Sequence, residues 1–193
     1  MKTDLNESIL GNCEVGDVRV DLPIWFGDPV KSKTRIMFLG LEPRDSDPIF
    51  NIEKIGKYVF GTPFGIEHWT PKNKYFNSFQ DVVKNWDILS YFTDVVKEYV
   101  VKKSKGEGDK AARESFWPKA NESENLNFLD QEIRYLNPDH IIGIGNDSYR
   151  FLEKKFRGKF KVSIVRHPNA RQDKTTKQNS WDIAREQLSE ILR

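Results

Sequence analysis

Arg35-Ile36-Met37-Phe38-Leu39-Gly40-Leu41-Glu42-Pro43-Arg44 is the stretch on which the fold turns. Ile36 to Leu39 is an unbroken apolar run with the length and composition of a strand buried on both faces. It stops at Gly40, and a carboxylate follows two residues on. In open α/β sheets the loops leaving the carboxyl ends of strands form the ligand crevice, so this layout predicts that Glu42 is delivered to such a crevice on a turn stiffened by Pro43. Taken alone, the stretch also fits a surface turn whose Glu42 is solvated.

Downstream, the pattern alternates. From Tyr75 to Leu89 the apolar positions Phe76, Phe79, Val82, Val83 and Trp86 recur at three and four, which predicts an amphipathic helix. Ser90 to Val96 reads as a second strand with Thr93 and Asp94 near its carboxyl end. A helix from about Glu122 to Leu136, stopped by Asn137-Pro138, leads into a third strand, Ile141 to Gly145. Asn146 or Asp147 is the expected cap of the next helix, which runs to about Phe156. The fourth strand, Val162 to Val165, ends in Arg166-His167-Pro168-Asn169-Ala170-Arg171. A closing helix starts near a Ser180 cap and repeats Trp181, Ile183 or Ala184, Leu188 and Ile191. Four short apolar strands alternating with helices predict right-handed crossovers. The expected fold is a single α/β domain over residues 1–193, a three-layer α/β/α sandwich with a central, mainly parallel four-stranded sheet. Residues 1–34 read as an irregular wrap around the sheet edge, with Ile24-Trp25-Phe26 as a short apolar piece. Asp45 to Tyr75 reads as a long linker and Lys102 to Asp109 as a mobile loop.

Composition narrows the function classes. Hydrophobic residues at 37% and charged residues at 31% describe a polar chain, and no run approaches the roughly 20 apolar residues that span a bilayer. Met1 to Leu10 carries Asp4 and Glu7 and does not read as a secretory signal, so a cytoplasmic monomer is expected. Cys13 is the single cysteine, which excludes an internal disulfide and a Cys-ligated cluster; His68, His140 and His167 have no metal-ligand spacing. Neither a metal nor a cofactor is expected. Net charge is only +2, but Lys154, Lys155, Arg157, Lys159 and Lys161, followed by Arg166, Arg171, Lys174 and Lys177, make the last third basic. Such runs are commonly solvated helix faces, with phosphate binding as the alternative.

Three strand ends therefore bring Glu42, Asp94 and His167 toward one crevice. A carboxylate, a second polar reader and a His gathered there suit general acid or base chemistry on a small planar ligand. Gly143-Ile144-Gly145 before a helix lacks the third glycine of the dinucleotide fingerprint, and a nicotinamide site is discounted.

Over residues 35 to 192 the sequence resembles the uracil-DNA glycosylase superfamily. The first motif of that family, written GQDPY, GINPG or GEAPG after a buried strand, is similar to Gly40-Leu41-Glu42-Pro43-Arg44. Its second, beginning HPS or HPA, is similar to His167-Pro168-Asn169-Ala170. Gly61-Thr62-Pro63-Phe64-Gly65 resembles the loop that stacks an aromatic on the flipped base, and Tyr91 to Lys97 resembles the strand written with TNVVK. The resemblance implies a monofunctional DNA glycosylase of base excision repair, outside the iron-sulfur branches, which need four cysteines. It implies catalytic roles for Glu42, which would orient water, and His167, which would hydrogen-bond the departing base. Gly40, Leu41, Phe64 and Asp94 would surround the base, and Arg44, Asn169, Arg171 and Lys174 would face the DNA.

Two departures carry information. Asp94 stands where the family has an Asn amide, and an ionised carboxylate can only accept, so uracil would meet two acceptors face to face. Either burial protonates Asp94, or another residue reads the base, or the preferred base presents a donor where uracil has O4. Arg44 replaces a Tyr or Gly, which bears on how 5-substituted bases are excluded. A non-catalytic nucleic-acid binder on the same scaffold is the alternative expectation.

Overall fold

The computed structural model describes residues 16–41, 50–62, 70–100 and 118–193. Its strands are β1 (Val18–Asp21), β2 (Ile24–Phe26), β3 (Thr34–Gly40), β4 (Phe50–Ile55), β5 (Tyr58–Thr62), β6 (Ile88–Asp94), β7 (Glu98–Val100), β8 (His140–Ile144) and β9 (Lys161–Val165). Among the described residues, four longer helices are interleaved with them: α1 (Lys74–Val83), α2 (Ser123–Leu136), α3 (Asn146–Phe156) and α4 (Ser180–Ile191).

The strands form two sheets. One is five-stranded in the order β2-β6-β3-β8-β9. Within it β6, β3, β8 and β9 run parallel, and β2 pairs antiparallel with β6 at the edge. The four strands expected from the sequence are all present, and Ile24-Trp25-Phe26 adds a fifth rather than an irregular wrap. The second sheet, β4-β5-β1-β7, falls where no strand was expected. The stretch read as a linker from Asp45 to Tyr75 holds the hairpin of β4 and β5. Gly56 turns it with φ of +60°, the conformation that glycine supplies at the first position of a two-residue hairpin loop.

The apolar run of β3 is explained by burial on both sides. Ile36 and Phe38 face one way, into a cluster with Phe79, Val82, Phe92, Ala184 and Leu188 from α1, β6 and α4. Met37 and Leu39 face the other way, into a cluster with Leu129, Ile133, Phe151 and Leu152 from α2 and α3. Phe38 stacks on Phe92 at 4.5 Å and 8°, and Phe79 meets Phe38 edge-on at 5.1 Å. Each such buried ring contributes roughly 1.5–3 kcal/mol of transfer free energy.

Helix boundaries differ from the sequence reading in instructive ways. The helix expected to reach Leu89 stops at Val83, because Asn85 accepts the Asp87 N–H and turns the chain. Trp86, read as a core position, is consequently 71% exposed. Gly145, not Asn146 or Asp147, caps α3, and Asn179, not Ser180, is the N-cap of α4. Asn137 closes α2 in the left-handed conformation, φ +47°, just before Pro138. Among the described residues no helix is long and apolar enough to cross a membrane.

Candidate functional site at the carboxyl ends of the parallel strands

Adjacent strand ends converge as the apolar runs imply. Gly40 and Asp94 are register partners at the ends of β3 and β6. The two chains stay side by side beyond them, through Val95 N–H to Gly40 O (3.2 Å) and Val96 N–H to Leu41 O (3.1 Å). Leu41 packs on the cluster under α2 and α3. Asp94 is 3% exposed, and the period-2 alternation of β6 puts it on the face of Phe92, the side of α1 and α4.

His167 follows the end of β9, in a loop held by the helix that comes after it. Arg166 donates from its amide to Gln187 Oε1 (2.7 Å), from Nε to Ser180 Oγ (3.0 Å) and from its guanidinium to Arg171 O (2.8 Å). Ser180, 1% exposed, turns its hydroxyl to the carbonyls of Ala170 and Arg171 at 2.8 and 3.0 Å. The serine expected as a helix cap is thus the anchor of the His167 loop. Gly145 (φ +90°) lies beneath it, where an added Cβ would sit 3.3 Å from His167 Cβ. Gly143 lets α3 approach β8, since a Cβ there would come within 2.8 Å of the Tyr149 amide nitrogen. These glycines serve packing, in keeping with the discounted dinucleotide reading.

The His167 ring makes two directed contacts. The Asn169 amide N–H donates to Nδ1 at 3.1 Å, so Nδ1 carries the lone pair. The proton of the neutral ring then sits on Nε2, which lies 2.9 Å from the Tyr75 hydroxyl. The Tyr75 ring meets His167 edge-on, with centroids 5.7 Å apart at 82°. Tyr75 occupies the first turn of α1, where Asn73 Oδ1 accepts from the amides of Tyr75 (2.8 Å) and Phe76 (3.2 Å). Helix α1 is fixed to α4 by Ser78 Oγ on Trp181 O (3.2 Å) and by Arg185 on Asp81 (3.1 and 2.9 Å). Sequence reasoning missed Tyr75, for the pair depends on the packing of two helices remote in sequence. The only local signal was a phenol two residues after a good capping residue.

Of the residues singled out from sequence, Gly40, Leu41 and Asp94 lie at the adjacent ends of β3 and β6, and His167 follows the end of β9, with β8 between β3 and β9. Asn169 contributes its backbone to the His167 ring. Arg171 and Lys174 are exposed. Glu42, Arg44, Phe64 and the stretch Lys102 to Asp109 lie outside the described residues. The basic last third divides. Arg166 faces inward, with Asp173 3.6 Å away, and backbone N–H groups of Thr176 and Thr175 hold the Asp173 carboxyl below its ordinary value. Lys154 to Lys161 lie toward the opposite end of five-residue β9, roughly 16 Å from the crevice by strand rise.

A second polar cluster lies on the other face of β6. Lys97 Nζ pairs with Glu132 Oε2 at 2.7 Å and donates to Thr93. The hydroxyls of Thr93 and Tyr91 reach Glu132 Oε1 at 3.0 and 3.2 Å. Burial and the Glu132 carboxylate push the Tyr91 hydroxyl well above the ordinary phenol range. Beside this cluster lies a cavity of about 640 Å³, walled by Trp25, Tyr91, Lys97, Phe128 and Tyr135, which none of Gly40, Leu41, Asp94 and His167 lines. Among the described residues no group of three or more His, Cys, Asp or Glu side chains could hold a metal ion.

Compared with known proteins, the chain matches no protein-family model and no curated protein. The arrangement pairs His167 with Tyr75 beyond the end of β9 and sets a buried carboxylate, Asp94, at the carboxyl end of β6 in the same sheet. Such a set can polarise a carbonyl and read the edge of a planar ring.

Proposed function

We propose that this chain is a monofunctional DNA glycosylase of the uracil-DNA glycosylase type, hydrolysing the N-glycosidic bond of a deaminated or damaged base extruded from DNA. The observation that carries the reading is that Gly40-Leu41, Asp94 and His167 follow the carboxyl ends of β3, β6 and β9, three strands of one parallel set in which β8 lies between β3 and β9. On this reading the five-stranded sheet and the helices packed on its two faces are a three-layer α/β/α sandwich, acting as a cytoplasmic monomer on DNA. Glu42 orients water toward the sugar carbon, and the bond electrons leave with the base. Donors at His167 stabilise the developing anion at its carbonyl. Phe64 stacks on the base, worth roughly 1–3 kcal/mol, while Asn169, Arg171 and Lys174 with Arg44 border the DNA. Asp94, buried at the base edge, sets which base fits.

The test is single-turnover incubation, at low salt and in protein excess, with labelled oligonucleotides bearing uracil, hypoxanthine, xanthine or 5-hydroxymethyluracil, single-stranded and duplex. Alkali then reveals abasic sites. The expected result is cleavage with one of these bases that falls at least about tenfold in Glu42→Gln, equivalent to ~1.4 kcal/mol of barrier. Cleavage independent of Glu42 would overturn the assignment. Asp94, an acceptor where an amide is usual, favours a second reading, a non-catalytic nucleic-acid binder. Salt-dependent binding with no abasic product in any arm selects that reading.

A further inference from the structure

We infer that the cavity of about 640 Å³ between α2 and the β2 edge of the five-stranded sheet binds a small planar aromatic carboxylate, with the ring held between aromatic walls and the anion on Arg35. None of its lining residues belongs to the proposed glycosylase machinery. The walls follow from register. Trp25 on β2 is the cross-strand partner of Tyr91 on β6, so both side chains stand on one face of the sheet, the face on which α2 packs. Opposite them, α2 presents Phe128, Glu132 and Tyr135 at spacings of four and three, beside the stripe of Leu129, Ile133 and Leu136 that enters the core. Trp25 and Phe128 line the cavity yet stay 54% and 57% exposed, and the still more exposed Tyr135 forms its rim. A flat ring entering between them removes that area from water. The volume falls within the range of small-molecule sites, roughly 300–1,000 Å³.

Charge sets the orientation. At one end the polar groups are matched to each other: Lys97 Nζ lies 2.7 Å from Glu132 Oε2, and the Tyr91 hydroxyl donates to Glu132 Oε1 at 3.2 Å. Asp21, 3% exposed, joins this end, and its amide donates to Lys97 O at 2.8 Å. Arg35 marks the other end. It is the register partner of Leu89, two residues before Tyr91 on β6 and about 7 Å from it by strand rise. Its Nη1 donates to Leu136 O at 3.1 Å, which ties the side chain to the last turn of α2. The Asp139 carboxylate accepts from the Arg35 backbone N–H at 2.8 Å, and among the described residues the guanidinium itself makes no ion pair. The Nε–Nη2 edge of a guanidinium offers two parallel N–H groups, the fork that fits the two oxygens of a carboxylate. An anion is drawn to this end and kept from the other by Asp21 and Glu132. One ring with a short acidic tail spans the distance from Tyr91 to Arg35.

Indole-3-acetate, indole-3-acetamide and tryptamine put a negative, a neutral or a positive tail on one ring, and they are the probes, titrated into the full chain by calorimetry and followed by saturation-transfer NMR. Indole-3-acetate is expected to bind one per chain with Kd below about 1 mM, at least about tenfold more tightly than the amide or the amine. Arg35→Gln is expected to bring the acid to the affinity of the amide. Trp25→Ala, at a half-exposed position, is expected to weaken the acid at least about threefold with a melting temperature within a few degrees of wild type, and it keeps the test decisive if Arg35→Gln fails to fold. His167→Ala is expected to bind the acid as the wild type does. No binding of the acid at millimolar concentration, equal or tighter binding of the amide or of tryptamine, or binding unchanged in both Arg35→Gln and Trp25→Ala would each overturn the inference. Loss of binding in His167→Ala would move the ligand to the strand ends and overturn it as well. None of these readouts uses base release, so failure of the glycosylase reading and failure of this site are told apart.

Discussion

Two polar clusters of similar composition lie on opposite sides of the five-stranded sheet, one between β6 and α2 and one between the loop after β9 and α1. On the α2 face, Thr93, Tyr91, Lys97 and Glu132 point their donors and acceptors at one another. The Lys97 and Glu132 side chains are only 6% and 12% exposed. On the α1 side, the Asn169 amide N–H donates to His167 Nδ1, and Nε2 of the same ring lies 2.9 Å from the Tyr75 hydroxyl. A buried charge therefore does not mark the site on its own. The two clusters differ in place: one joins β6 to α2 side chain to side chain, and the other joins the loop after β9 to the first turn of α1.

The largest effect that would break this comparison concerns the closed cluster. Lys97→Ala leaves Glu132 as an uncompensated buried charge and is expected to cost about 3–5 kcal/mol in urea unfolding. The double replacement Lys97→Met with Glu132→Leu should recover most of that loss. A single replacement near neutral would show that the pair is far better hydrated than its burial indicates.

His140 supplies the next contrast, a histidine at the amino end of β8 rather than the carboxyl end of β9. It is hydrogen-bonded to Ser163 Oγ at 2.9 Å, and burial, with a smaller contribution from Lys161, brings its pKa down to about 4 from 6.5. Because the folded value is the lower, the unfolded chain binds the proton more readily between those limits. Stability is complete above pH 6.5 and falls as pH drops toward about 4, by roughly 1–3 kcal/mol. His140→Gln should flatten that stretch of the stability-versus-pH curve while leaving base release unchanged.

On the glycosylase reading, a change at His167 should appear in rate, not in folding. His167→Ala is expected to slow base release at least about tenfold, ~1.4 kcal/mol, with unfolding free energy changed by less than about 1 kcal/mol. Destabilisation comparable to that of Lys97→Ala would make the two clusters alike and end the distinction. The smallest expected effect is a change of preference. Asp94→Asn should raise release of uracil if the carboxylate is what limits it, and an unchanged rate would assign base reading to another residue.

What could be read from the sequence was whatever rested on runs of one polarity. Ile36 to Leu39 and Ile141 to Ile144 are buried on both faces and announce themselves, and with them come the strand ends. The second sheet could not be read the same way. Its strands are three to six residues long and interrupted by charge, as in Phe50-Asn51-Ile52-Glu53-Lys54-Ile55, with a register irregularity between Asn51 and Glu53. Their pairing is a tertiary event that local pattern does not encode. Trp86 misled because spacing continued past the turn made by Asn85. The basic last third looked like one surface, but its two halves are separated by the length of β9, and Arg166 within it is spent on holding the His167 loop. Tyr75 was invisible as a site residue because nothing about a phenol at a helix start reveals what another helix will bring against it.

The clamp of Ser180 and Gln187 on the His167 loop has a consequence for synthesis. Both residues follow the loop in the chain and belong to α4. A ribosome adds roughly 5–20 residues per second, so for about a second or more the nascent polypeptide has His167 without the groups that shape its loop. The strands have already been synthesised at that moment, but the clamp has not. On the glycosylase reading, a chain cut before α4 lacks the groups that hold the His167 loop, and with them Ala184 and Leu188 of the core.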